Sequence, residues 1–315
     1  MRRIAILYNP RSGRASCRRK AEVERAAAVL RAQGLEVVAQ ATAGARRADR
    51  QARQFIEEGF DTIVASGGDG TVHDVLQGVV NTDAVLGVLP LGTANSLAAD
   101  LGLSGNPAQI AAQLLAAEPR RLAIGHIEYE RHGVRESRYF TVAAGVGVDA
   151  ALFYQLNDRS KQRWGMAAYV GESLRQWVVQ KFSPFRVDWL DSDSGQRRSA
   201  VVTQLLAVRI RNFGGVLKEL APGADLNHDQ LRLVLFKTAS RARYLRFATG
   251  RLIGRDWTDP NIELVNATDI GCSPHEVSDR PRPTIHAEAD GELLGRIPVK
   301  MNIIPKAFNL LIPKK

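Results

Sequence analysis

SGGDGTVHDV, Ser66 to Val75, sets three glycines and an aspartate directly behind the aliphatic run TIVA and directly ahead of a segment with helical spacing. A strand that ends in glycines and passes into a helix aims unpaired backbone N–H groups, and the positive end of the helix dipole, at one point in space. An anion fits there. Gly67, Gly68 and Gly70 permit positive φ angles and let a phosphate approach the main chain, while Thr71 can cap the helix and offer its hydroxyl. The stretch matches neither G-x-x-x-x-G-K-[ST] nor G-x-G-x-x-G, and alone it would pass for a glycine-rich turn.

Two further loops change that weighting. Asn9-Pro10-Arg11-Ser12-Gly13 follows the aliphatic run RIAILY, and Leu89-Pro90-Leu91-Gly92-Thr93-Ala94-Asn95 follows AVLGVLP. In an open parallel sheet the loops after the carboxyl ends of the strands gather on one edge, where ligands bind. The first 120 residues carry the βα alternation of such a sheet. Strands are expected at 3–8, 35–40, 62–66 and 84–90, with helices near 17–33, 45–58, 71–80, 95–101 and 107–117.

After Arg121 the texture changes to period-two runs such as SRYFTVAA, SAVVTQLLAVRI, DQLRLVLF and RIPVKMNII, the pattern of an antiparallel sheet or sandwich. Helices are expected to interrupt it at 149–157, 164–180 and 240–253. The expected architecture is therefore an α/β domain with a parallel sheet over 1–120 and an antiparallel, β-sandwich-like domain over 121–315, with the segment from about 301 onward free to pack back on the first.

With 45% hydrophobic and 24% charged residues, the chain is globular in composition rather than disordered or fibrous. Its net charge of +10, spread along the sequence, suits phosphates, anionic headgroups or nucleic acid, and suits simple solubility equally well. Nucleic acid is disfavoured, since no aromatic platform or known module accompanies the charge. Cys17 and Cys272 make neither a disulfide framework nor a metal cluster, as in a reducing cytosol. No apolar run approaches the roughly 20 residues of a membrane span, so any meeting with a membrane is expected from the water side, at its cytoplasmic face.

NPRSG, GGDGTVHDV, PLGTAN, AGVGVDA and the late ADGE, in this order, resemble the diacylglycerol kinase catalytic-domain family, which includes bacterial lipid kinases and the sphingosine and ceramide kinases. The resemblance runs from Ile4 to the closing Pro305–Asn309. It implies an ATP-binding α/β domain, a lipid-binding β-rich domain, and Mg²⁺-dependent transfer of the γ-phosphoryl group of ATP to a lipid hydroxyl. By motif match, Asn9, Ser12, Gly67, Gly68, Gly70, Thr71 and Thr93 would line the nucleotide phosphates, with Glu292 assisting. Asp69 would act through Mg²⁺ or on the acceptor hydroxyl, Asp290 is the first candidate for general base, and Asp149 would hold the lipid headgroup. These roles stay open: Asp69 serves as base in the sphingosine kinase version, Asp149 also suits a helix N-cap, and Asp290-Gly291 also suits a hairpin turn.

Three departures from the family pattern bear on activity. Ser96 stands where the bacterial family has the acid of G-T-x-N-D, and Ala123 stands where R-x-D-L-G has its acid, so two carboxylates of the implied Mg²⁺ network are missing. In PGADLNHDQL, His228 and Gln230 replace an acid and a glycine, leaving Asp225 and Asp229 as candidate ligands of a structural Mg²⁺. His73 and Ser96 resemble the sphingosine kinase versions instead, which favours a sphingoid or ceramide-like acceptor beside diacylglycerol; an inactive nucleotide- or lipid-binding protein is the alternative. SRARYLRFATGRLIGRDW, with Arg241, Arg243, Arg246, Arg251 and Arg255, is either a basic helix for an anionic bilayer or a sheet-covering helix with a solvated face. A homodimer is left open.

Overall fold

The computed structural model describes residues 1–12, 18–44, 46–92, 95–147, 182–215, 219–255, 257–275 and 285–314. The helices expected at 149–157 and 164–180 lie outside them. The chain divides into two compact units, Met1–Ile124 with Pro305–Lys315, and Gly125–Ile304.

In the first unit, β1 (Arg3–Tyr8), β2 (Glu36–Ala41), β3 (Thr62–Gly67) and β4 (Val85–Pro90) form a parallel sheet in the order β2-β1-β3-β4. Ile4, Ala5, Ile6 and Leu7 are buried, as is every residue of β3. Strands covered on both faces read as continuous aliphatic runs, which is why these were visible as such. The connections are α1 (Arg19–Arg31), α2 (Ala48–Glu57), α3 (Asp69–Val79), α4 (Ser96–Asp100) and α5 (Pro107–Ala116). Helix α1 buries Val23, Ala26, Ala27 and Leu30, one face at helical spacing. Helix α5 starts on a capping box between Asn106 and Gln109 with a proline in its first turn.

Further along the chain come β5 (Glu118–Arg131), β6 (Val134–Phe140), β7 (Ala143–Gly147), β8 (Phe185–Asp191), β9 (Arg197–Val202), β10 (Gln204–Val208), β11 (Leu231–Phe236), α6 (Arg241–Leu252), β12 (Ile262–Pro274), β13 (His286–Ala289) and β14 (Glu292–Ile312). The end of β14 belongs to the first unit, where Asn309 and Leu310 run parallel to Val85 and Leu86 of β4. Asn81 N–H donates to Ala307 O at 2.9 Å, and Arg121 donates to Lys306 O at 2.7 Å, tying that segment down.

The second unit is antiparallel throughout. Its ladder runs β13-β7-β10-β11-β12-β8-β9, and β12 also pairs with β14, which pairs with β13, so part of the ladder closes on itself. Alternation explains the exposure of its strands: in β8, Phe185, Val187 and Trp189 point inward while Arg186 is exposed. Two hairpins turn on residue pairs with positive φ, His132-Gly133 between β5 and β6 and Asp290-Gly291 between β13 and β14, the twist a two-residue turn requires. Helix α6 covers β11, with Tyr244 stacked on Phe236 at 4.4 Å and Phe247 edge-on to the same ring at 5.2 Å.

Candidate functional site

The loops after β1, β3 and β4 meet at the carboxyl edge of the parallel sheet and are stitched together through main-chain atoms. Asn9 N–H donates to Ser66 O at 3.0 Å, and Gly67 O accepts from Leu91 N at 2.9 Å and Gly92 N at 3.0 Å. The Asn95 side chain closes the β4 loop, accepting from Gly92 N at 3.1 Å and donating to Gly92 O at 3.0 Å. Asn9 Oδ1 accepts from Arg11 N at 2.9 Å and so shapes the β1 loop that carries Ser12.

The glycines are present for closeness, not for unusual torsion. Gly67, Gly68 and Gly70 are not among the positive-φ residues, which corrects the expectation from sequence. A Cβ on Gly92 would overlap Gly68 Cα and stand 2.9 Å from Gly68 N, while one on Gly67 would meet Thr71 and approach Ser12 Oγ to 3.0 Å. At Gly70 a Cβ would meet no atom within 4 Å. A second correction concerns Thr71. Helix α3 begins at Asp69 with Gly68 as its N-cap, so Thr71 lies inside the first turn, its N–H donating to Gly68 O at 2.9 Å, and does not cap the helix. No side chain caps this helix start, where the positive end of the helix dipole favours an anion.

Asp69, the first residue of α3, reaches across to the next loop. Its Oδ1 accepts from Ser96 N at 2.7 Å and its Oδ2 faces Ser96 Oγ at 3.4 Å. The short contact is a charge-assisted bond that terminates α4 from outside that helix. Ser96 therefore touches the motif acid directly, and an aspartate at that position would confront Asp69 with a second carboxylate. Ala123 is buried in β5. Thr93 and Asp149 lie outside the described residues.

In the second unit, Asp290 is buried at the β13–β14 turn. Its Oδ1 accepts from Val142 N at 2.9 Å and Ala143 N at 3.1 Å, its Oδ2 from Thr141 N at 3.0 Å and Thr141 Oγ1 at 3.4 Å, while its own N–H donates to Ala143 O at 2.8 Å. This carboxylate clasps the start of β7. Glu292, half-buried, opens β14 opposite Ala289. Sequence reasoning passed over Glu288, a buried acid on β13; its place two residues before Asp290 was the available signal.

Asp225 and Asp229 belong to the loop ahead of β11. Asp225 Oδ1 accepts from Asn227 N at 2.9 Å and Asn227 Nδ2 at 2.7 Å, and Oδ2 pairs with Arg211 at 2.8 Å. Burial works against charge on Asp225, but the Asn227 and Arg211 contacts prevail and hold its carboxyl below the usual range. Beneath the loop the buried Arg209 guanidinium donates to His228 O at 2.5 Å, Gln230 O at 2.8 Å and Leu226 O at 3.0 Å. Desolvation pulls the Arg209 pKa down to about 10, against the attraction of Asp229 and Asp225. The loop carbonyls thus already serve a cation, and among the described residues no group of three or more His, Cys, Asp or Glu side chains gathers for a metal. Arg209 and Arg211 bring positive charge to this loop, where Asp225 and Asp229 stay candidate ligands only. Arg209 escaped notice because an arginine in AVRIRN reads as an outward-facing strand residue.

Comparison with known proteins supplies independent findings. Residues 3–127 match the diacylglycerol kinase catalytic domain, and residues 141–312 match the YegS C-terminal NAD kinase beta sandwich-like domain. A diacylglycerol kinase of Bacillus subtilis is 28% identical over 318 residues, spanning 100% of this chain and 98% of its own. One from Mycobacterium tuberculosis is 27% identical over 323 residues, spanning 99% and 96%. Among solved structures, a diacylglycerol kinase from Bacillus anthracis superposes with a TM-score of 0.70 at 18% identity, covering 99% of this chain and 97% of that one. Yeast NADH kinase follows at 0.54 and 11% identity, covering 100% and 84%. At such identities the two structures speak for the fold alone.

Proposed function

Since the chain belongs to the family that joins a diacylglycerol kinase catalytic domain to a YegS-type C-terminal domain, we propose that it is an ATP- and Mg²⁺-dependent lipid kinase. Bound ATP would supply the γ-phosphoryl group, and a lipid hydroxyl would accept it. The observation that carries the reading is the cradle of the first unit, where Gly92 lies against the main chain of Gly68 and Gly67 lies against the side chains of Thr71 and Ser12, beside a start of α3 that no side chain caps.

Asn9, Ser12, Gly67, Gly68, Gly70, Thr71 and Thr93 are proposed to hold the phosphates. Mg²⁺ arriving with a nucleotide keeps several waters and asks for one or two carboxylates, a part for which Asp69 is the acid at the cradle. Phosphoryl transfer also needs an acceptor for the hydroxyl proton. The lone pairs of Asp290 are spent on the main chain of Thr141, Val142 and Ala143. That geometry favours Asp69 as the proton acceptor and gives Asp290 a positioning role. Glu292 is proposed to assist the nucleotide and Asp149 to hold the lipid headgroup. Diacylglycerol is the first acceptor to try, given the names of the relatives, with ceramide and sphingosine next on the strength of His73 and Ser96.

No helix among the described residues is long and apolar enough to cross a membrane. Peripheral association with a bilayer, in a cytoplasmic setting, is proposed as the way it meets a lipid acceptor. The test incubates purified protein with labelled ATP, Mg²⁺ and diacylglycerol, monoacylglycerol, ceramide or sphingosine in detergent micelles. Phosphorylated lipid is expected; none with any acceptor or metal would overturn the proposal. Ser96 and Ala123 favour one second reading, a nucleotide-binding regulator without turnover. It predicts ATP binding without product, and activity gained on restoring aspartate at both positions.

A further inference from the structure

Helix α6 presents two faces of opposite kind. Tyr244, Phe247 and Gly250 are buried against the sheet, while Leu245, Leu252 and Ile253 on the other side are 49%, 44% and 54% exposed. Spacings of seven and eight residues keep these three side chains on one stripe. Of the exposed large hydrophobic residues described, three fall within these nine positions. A stripe of that kind on one helix needs an occupant.

The surrounding charge says which. Arg241, Arg243, Arg246 and Arg251 lie on the helix with no acidic residue among them, and Arg255 follows it. Three of the guanidinium groups lean over aromatic rings, Arg241 on Phe182 at 5.0 Å, Arg246 on Trp257 at 6.0 Å and Arg251 on Phe247 at 5.5 Å, and Arg243 pairs with Asp259 at 2.6 Å. Arginine stems beside an apolar stripe can lie in the interface while their heads meet phosphates. A second copy of this chain would bring the same arginines against themselves, on a molecule already at +10.

We propose that the outer face of α6 docks this protein on an anionic lipid bilayer, with Leu245, Leu252 and Ile253 entering the acyl boundary and the exposed Arg246 and Arg255 meeting the headgroup phosphates. The inference rests on the lipid kinase reading, which requires the protein to meet a bilayer. It goes further in assigning the surface.

Flotation of the full chain with vesicles of phosphatidylcholine, with and without phosphatidylglycerol and with no nucleotide present, tests it. Binding should need the anionic lipid and weaken with salt. The triple variant Leu245→Ser, Leu252→Ser, Ile253→Ser should lose vesicle binding about tenfold or more, as should Arg246→Gln with Arg255→Gln. Melting temperature and ATP affinity should be unchanged in both. Variants that float like wild type overturn the proposal, and so does a wild-type dimer that becomes monomeric in the triple variant, since the stripe would then belong to a second copy. Phosphorylation of micelle-dispersed lipid without α6-dependent flotation removes this inference alone. Flotation without phosphorylation leaves it standing and removes the kinase reading.

Discussion

Replacing Gly70 by alanine separates what the glycine motif does for the fold from what it does for a ligand. Gly70 is the second residue of α3, does not have a positive φ, and has no atom within 4 Å of the place a Cβ would occupy. Alanine costs nothing sterically there, and its higher helix propensity adds up to about 1 kcal/mol of stability. If a phosphate approaches the main chain at this turn, the added methyl group stands in its way and disrupts at least one charge-assisted N–H bond, worth about 1.5–3 kcal/mol. ATP affinity should then fall roughly ten- to hundredfold. Titration calorimetry with ATP, beside urea unfolding of the same preparation, reads both quantities. Gly92→Ala is the converse control, because its Cβ would overlap the Gly68 backbone, where no rotamer can relieve the clash. It should cost about 1–3 kcal/mol of stability. A Gly70→Ala protein that binds ATP as tightly as wild type refutes the cradle.

Four further outcomes follow from the same geometry. Asp69→Asn keeps an oxygen for Ser96 N–H, so unfolding should shift by less than about 1 kcal/mol while turnover drops about a hundredfold or more; labelled-ATP assays that show nearly full turnover would remove Asp69 from the chemistry. Asp290→Asn turns an NH₂ toward main-chain donors and should cost about 1–3 kcal/mol in urea unfolding, whereas lost turnover with unchanged stability would make Asp290 a reacting group. Arg209→Met strands three carbonyls and should cost about 3 kcal/mol or more; melting curves of wild type with and without a chelator should coincide, and a large drop on chelation would place a metal in the loop. The Asn261 N–H, then the Asn261 side chain and Arg243, hold the Asp259 carboxyl below its usual range. A depressed folded-state value stabilises above the unfolded carboxylate range, near pH 4, and that stabilisation is lost as pH falls through the folded value. Unfolding measured below about pH 4 should therefore lose stability less steeply in Asp259→Asn.

What the sequence reveals depends on whether the deciding interaction is local. RIAILY, TIVAS and AVLGVLP declare β1, β3 and β4 because a strand covered on both faces has to be apolar throughout. Asp290-Gly291 declares its turn because two adjacent positive φ angles limit the residue choice. The start of α3 at Asp69 was misplaced by two residues, since a helix capped by a glycine main chain carries no side-chain signature. Nor could spacing reveal that Asp69 finds its partner in Ser96, 27 residues on, or that Arg209 serves carbonyls 17 to 21 residues away. Both are pairings of polar atoms that only packing brings together. The reversal of exposure on α6 is intermediate: its arginines were plain, but which of Tyr244, Leu245, Phe247 and Leu252 faced outward was settled by the sheet beneath.

The pairing of β14 with β4 has a consequence for synthesis. Asn309 Nδ2 donates to Asp83 O across 226 positions of chain, and Leu310 lies alongside Leu86. While the ribosome is still making the second unit, the first has every strand of its sheet except the one that flanks β4, leaving an apolar edge unmatched until translation passes Leu310. Vectorial folding, amino-terminal body first, is therefore closed to this protein at its last step, and a nascent chain halted before Pro305 should remain a client for chaperones.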